Sequence, residues 1–137
     1  EYLELSFEVC NAANIESPVW QSKLNIYING CQLGSSVCSC DKGGRRGKLN
    51  PSWWPDVATQ HGELQKWRVT KTGTYLQDER ISDVRLRDLN LSSTARINVL
   101  MHVPSDLDNH SGINLFGAEF GDYNQAIRLV IGYQSQE

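Results

Sequence analysis

A chain of 137 residues with a net charge of −3, 39% hydrophobic and 21% charged residues, has the balance of one soluble globular domain with one core, spanning residues 1–137. No apolar run approaches the roughly 20 residues that a membrane span needs, so no membrane partner is expected. The acidic balance excludes a chain that neutralises nucleic-acid phosphates by itself, since that takes a surplus of clustered Lys and Arg.

The opening EYLELSFEV has no initiator methionine and reads as a strand already under way, so the chain is expected to be the later part of a longer protein. Alternating apolar residues predict strands over LELSFEV (3–9) and KLNIYI (23–28). Asn29-Gly30 follows directly, and both central positions of a type I′ turn need positive φ, so a hairpin to CQLG is expected. Further strands are predicted over LQKWRVT (64–70), ARINVLMHV (95–103), GINLF (112–116) and AIRLVIGY (126–133), with a weaker turn at 71–74. The segment 81–91 is at best a strand followed by a polar turn. No stretch keeps helical apolar spacing, and the pattern predicts an all-β fold: a two-sheet antiparallel β-sandwich of jelly-roll, galactose-binding-like type.

Two long irregular stretches interrupt the strands, 35–62 and 116–125; loops of that length in a compact domain are usually either functional or disordered, and their aromatic and glycine content argues for ordered ones. The first holds GGRRGKLNPSWWP (43–55), a loop shaped by glycine and proline. Arg45 and Arg46 offer planar forks for carboxylate or phosphate. Trp53 and Trp54 offer flat faces for stacking on a sugar or a base. In extended backbone adjacent residues point to opposite faces, so one tryptophan is expected in the core and the other outside. The structural alternative pairs the arginines with Asp41, Asp56 or Glu119. The second stretch, GINLFGAEFGDYNQ (112–125), mixes amides, carboxylates and aromatics, among them Asp122, Asn124 and Gln125, as sugar hydroxyls require. The two loops are expected to meet.

Catalysis fits poorly. Glu119 with Asp122, Asp41 or Asp56 could be nominated as a carboxylate pair, but 16 acids supply such pairs in any sequence. His61, His102 and His110 show no metal-ligand spacing and belong to no nucleophile motif. No cofactor is expected, and the chain is read as a non-enzyme. Cys10, Cys31, Cys38 and Cys40 leave three readings: reduced thiols in a cytoplasmic protein, disulfides in a secreted one, or a metal held by the last three.

In their order, YINGCQLG (27–34), DKGGRRGKLNPSWWP (41–55), TQHGELQKWRVTKTGTYLQDERISDVRLRDLNL (59–91) and GINLFGAEFGDYNQAI (112–127) resemble the C-terminal all-β domain of bacterial transcription regulators that begin with an ArsR-like winged helix-turn-helix. The matching positions include Asp41, Arg45, Arg46, Trp53 and Trp54 in the first loop and Asp122, Tyr123, Asn124 and Gln125 in the second. Two positions depart from the pattern: Cys38-Ser39-Cys40 replaces a Ser-Pro-Gly-like run, and His61 stands where tyrosine is common. The resemblance implies an effector-sensing or oligomerisation domain in the cytoplasm, with DNA bound only through a separate N-terminal domain. Its partner would be a small polar effector such as a carbohydrate, held by Asp41, Arg45, Arg46, Trp53, Trp54, Asp122, Asn124 and Gln125, or a second copy in a homodimer. The alternative is a carbohydrate-binding module of a secreted enzyme.

Overall fold

The computed structural model describes residues 1–11, 22–38, 45–93, 95–104 and 112–133. Asp41, Cys40, Gly43, Gly44 and His110, all weighed above, lie outside the described residues. Nine strands are described: β1 (Tyr2–Asn11), β2 (Ser22–Ile28), β3 (Cys31–Cys38), β4 (Glu63–Val69), β5 (Thr74–Leu76), β6 (Glu79–Ser82), β7 (Val99–His102), β8 (Ile113–Phe116) and β9 (Arg128–Gly132). Two short 3-10 helices, Leu86–Leu89 and Leu91–Ser93, join β6 to β7. No helix among the described residues is long and apolar enough to cross a membrane.

Every strand pairing is antiparallel, so the chain is all-β. The larger sheet runs β6-β5-β4-β1, and the far edge of β1 is shared by two strands placed end to end. β9 pairs with Tyr2 to Ser6 and β8 with Glu8 to Asn11. The smaller sheet runs β3-β2-β7. Leu3, Leu5, Phe7 and Val9 of β1 and Trp67 and Val69 of β4 face Leu24, Ile26 and Ile28 of β2 and Leu33 of β3, forming one buried core between the sheets. Among them lies Gln65, whose Oε1 accepts from Trp67 Nε1 at 3.0 Å and Ser36 Oγ at 3.2 Å. A buried amide has to be answered in this way.

The hairpin expected at Asn29-Gly30 is present, with φ of 51° and 79°. The Asn29 side chain also donates to Leu89 O at 2.8 Å and accepts from Asn98 N at 2.9 Å, tying the turn to the 3-10 segment. A second hairpin of the same sense joins β5 to β6 through Gln77 and Asp78, both at positive φ, with no glycine to announce it. Gln77 offsets the backbone cost because its side chain bridges β4, donating to Leu64 O at 2.6 Å and accepting from Lys66 N at 2.9 Å.

β3 continues to Cys38, past the Ser35 where an irregular stretch is expected. β7 is shorter than the expected 95–103, because its partner β2 ends at Ile28, opposite Val99, and the residues before Val99 have run past that end. Segment 81–91 supplies the last residues of β6 and then 3-10 turns. Cys31 and Cys38 stand at opposite ends of β3, roughly 20 Å apart at strand rise. They are unpaired and cannot share a metal ion or a disulfide.

Trp67 is fully buried between the sheets. Trp67→Ala is expected to cost about 3–5 kcal/mol, read as a lowered urea midpoint with the slope retained.

Candidate functional site

Alternation along β1 puts the odd-numbered core residues on its inner face and Tyr2, Glu4, Ser6, Glu8 and Cys10 on its outer face. At the start of the strand this outer face is open, and Glu4 pairs with Arg68 at 3.0 Å on the neighbouring strand. Towards its end Ser6, Glu8 and Cys10 are buried. What covers them is the pair of loops, 45–62 and 117–127, that lie across the sheet.

Glu8 is the point of attachment. Its carboxylate accepts from Gly62 N at 2.8 Å, from Asp122 N at 3.0 and 3.1 Å to its two oxygens, and from Tyr123 N at 3.0 Å. Gly121, at φ 70°, turns the second loop so that these amides point down, and a Cβ there would meet the Glu8 oxygens at 2.5 to 2.6 Å. Gly62 brings the end of the first loop against the Val9 backbone with no side chain in between. Gln125 Nε2 adds a bond to Ser6 Oγ at 3.1 Å.

The loops also bind each other, as expected. Leu49 N donates to Gly121 O at 2.8 Å and Gly121 N donates to Asn50 Oδ1 at 2.7 Å. The Asn50 amide donates to Gln60 O at 2.7 Å, while the buried Gln60 side chain donates to Pro55 O at 2.9 Å and Ala58 O at 3.0 Å. Gln60 thus closes the first loop from inside.

Arg45 meets Asp122 through both prongs, at 2.9 and 2.6 Å, and Lys48 N donates to the same carboxylate at 3.1 Å. His61 Nδ1 lies 3.8 Å from it. The hydrogen bond from Arg45 is the largest influence holding the Asp122 carboxyl down from 3.8 to about 2, with Lys48 N and His61 acting in the same direction against the effect of burial. Arg46 pairs with Asp56 and donates to Trp54 O at 3.0 Å and Pro51 O at 2.8 Å. Asn124 Oδ1 accepts from Glu119 N at 3.0 Å. The arginine forks are therefore held by internal acceptors, Asp56 among those the structural alternative named.

The tryptophans depart from the expected arrangement. Residues 51–54 form a turn, closed by Trp54 N to Pro51 O at 2.9 Å, and not a strand, so the two rings lie on the same side. Their centroids are 5.8 Å apart, and both rings contact Phe120 of the second loop, at 6.4 Å for Trp53 and 5.5 Å for Trp54. Neither enters the core. Trp54 anchors its ring by donating from Nε1 to Thr59 O at 3.1 Å, while Trp53 is 69% exposed.

Of the eight residues singled out, seven are described and all seven belong to this one assembly of loops. Sequence reasoning missed Glu8, Asn50 and Gln60. Among the described residues no group of three or more His, Cys, Asp or Glu is placed to hold a metal ion. Burial, and then the charge of Glu63, pushes the Cys38 thiol up to about 11, away from reactive thiolate. Comparison with family models, curated proteins and solved structures finds no match to this chain.

Glu8→Gln keeps the shape but turns an amide NH2 towards backbone donors. It is expected to destabilise the domain by about 2–4 kcal/mol in urea unfolding. For Asp122 the depressed carboxyl contributes stability that is complete above 3.8 and lost as pH falls towards about 2. The melting-temperature gap between the protein and Asp122→Asn, measured at low salt, is therefore expected to be full at pH 5 and mostly closed at pH 2.

Proposed function

We propose that the protein is a non-catalytic effector-binding domain of a bacterial transcription regulator, and that a small polar ligand, a carbohydrate, stacks on Trp53. The observation that carries the binding reading is the exposed Trp53 face, 69% open on a turn held by Arg46 and backed by Trp54 and Phe120. A flat apolar ring in water is the surface that the apolar face of a pyranose covers. A turn already fixed by hydrogen bonds has little conformational freedom left to lose on binding. Polar groups belong to the same loops: Arg46 and Asp56 on the turn of the first, and Asn124, bonded to the amide of Glu119 beside Phe120 in the chain, on the second.

In this reading Arg45, Asp122 and Gln125 brace the loops, and the groups that touch ligand are Trp53, Trp54, Arg46 and Asn124. The regulator assignment rests on the motif resemblance alone. It places the domain in the cytoplasm, where the unpaired Cys31 and Cys38 stay reduced, and it assigns DNA binding to a winged-helix domain outside this chain. Ligand binding would then act by favouring one arrangement of the whole regulator. Val57, 91% exposed two residues beyond Trp54's neighbour Pro55, favours a second reading in which a copy of the chain covers this surface.

The test is intrinsic fluorescence and thermal melting across mono- and oligosaccharides, with light scattering, on the protein and Trp53→Ala. The expected result is a saccharide that shifts both signals and loses its effect in the variant, whose own stability falls by about 1–2 kcal/mol through the lost ring contacts with Trp54 and Phe120, so that it stays folded. No response to any saccharide, with a dimer that Trp53→Ala dissociates, would replace the sugar reading with the interface reading.

A further inference from the structure

A large concavity of about 970 Å³ opens at the other end of the sandwich, where β1 begins and β9 ends. It lies roughly 20 Å along β1 from Glu8 at strand rise and shares no residue with the two loops. Leu86, Leu91, Ile97 and Ile131 line it, each half-buried and packed against the core, so its floor is apolar. Tyr2 and the exposed Tyr133 also line it.

Over this floor stand four cations from three separate segments: Lys71 of the turn before β5, Arg85 and Arg87 around the first 3-10 helix, and Arg96 before β7. The chain has 13 Lys and Arg and a net charge of −3, so four in one hollow is a local reversal of its overall sign. Among the described residues, the arginine–carboxylate ion pairs involve Arg45, Arg46, Arg68 and Arg80, and none of these four. Two acids are close: Glu1 lines the concavity, and Asp88 is engaged through its carboxylate with Arg85 N at 2.8 Å. Like charges gathered over low-dielectric walls repel one another and focus a positive potential into the hollow.

We infer that this concavity is a binding site for an amphipathic organic anion, an oxyanion head on an apolar body. The head meets the guanidinium groups of Arg87 and Arg96, whose planar forks match a carboxylate or phosphate, and the body covers Leu86, Leu91, Ile97 and Ile131. The volume suits one ligand of drug-like size. Neither half of the chemistry suffices by itself: the cations leave an apolar floor uncovered by a small inorganic ion, and the floor leaves the cations unanswered by a neutral lipid.

The probe is 1-anilinonaphthalene-8-sulfonate, an aromatic anion whose fluorescence rises on leaving water, titrated into the 137-residue chain. Competition with decanoate, decyl phosphate, decanol and inorganic phosphate follows. The inference expects one saturable site, displaced by decanoate or decyl phosphate, the stronger of the two identifying the head group. The double variant Arg87→Glu/Arg96→Glu should weaken the probe at least about tenfold, the worth of one charge-assisted hydrogen bond, while its melting temperature stays close to the parent's because both side chains are exposed. If charge reversal lowers the melting temperature, Arg96→Gln gives the same reading with a smaller loss. Trp53→Ala should bind the probe unchanged, which separates this site from the loop surface. Unaltered probe affinity in folded Arg87 and Arg96 variants would overturn the inference. So would displacement by decanol equal to that by decanoate, or by inorganic phosphate equal to that by decyl phosphate.

Discussion

A carboxylate buried on the outward face of a β-sheet has to be answered by donors, and the answer to Glu8 organises the two long loops of this protein. An isolated carboxylate in that position would cost several kcal/mol, so the strand can hold it there only together with the amides of Gly62, Asp122 and Tyr123. These amides belong to two loops that are 54 and 114 positions or more away in the chain. Neither loop has a regular hydrogen-bond ladder of its own. The carboxylate supplies the fixed acceptor that the irregular backbone lacks, and the backbone supplies the donors that the buried charge lacks. Each half makes the other tenable, so the two loops and the outer face of β1 form one cooperative unit.

From that unit the roles of the remaining polar groups follow. Asp122 donates its amide to Glu8 and offers its side chain to Arg45, carrying the attachment one step outward from the sheet. Arg46 gathers Asp56 and the carbonyls of Pro51 and Trp54, at the two ends of a proline-bounded turn. Arg45 is thereby employed in bracing, while Arg46, its side chain still 39% exposed, holds the turn that presents the aromatic surface to solvent. An arginine fork fits a backbone carbonyl as well as it fits a ligand oxygen. Which of the two it meets is decided by the path of the chain, and the residue type alone does not decide it.

That distinction marks how far the sequence could be read. The all-β character was legible because alternation is imposed by burial on one face, and it is visible in LELSFEV and KLNIYI as written. Asn29-Gly30 was legible because positive φ selects its residues. The Gln77-Asp78 hairpin was not, since its support comes from the Gln77 side chain reaching Leu64 and Lys66, a contact with no local signature. The meeting of the two loops could be anticipated from their length and composition. Glu8 could not be singled out, because on an alternating strand it has the same pattern position as Glu4, which stays partly open beside Arg68. What separates them is the cover above, and cover is a tertiary fact. The tryptophans were misjudged for a related reason: alternation was applied to a segment that is a turn.

β1 is the one element shared by both surfaces described above. Its first residue, Tyr2, lines the basic concavity and its later ones carry the loop unit, while β4 on one side and β8 and β9 on the other hold it in register along its length. A strand hydrogen-bonded on both edges does not slide, because a one-residue slip would turn Leu3, Leu5, Phe7 and Val9 out of the core. Communication between the two ends cannot therefore run through movement of β1 itself. The edge of β1 is interrupted where β8 gives way to β9: the chain leaves β1 opposite Glu8 and returns opposite Ser6, and the whole second loop lies in that gap. An occupant of the concavity would meet Ile131 and Gly132 at the far end of β9, the strand whose near end follows directly on the second loop. Coupling of the two surfaces, where it exists, is then a matter of the second loop's order, and its size is bounded by the difference in ligand affinity between the ordered and the loosened loop.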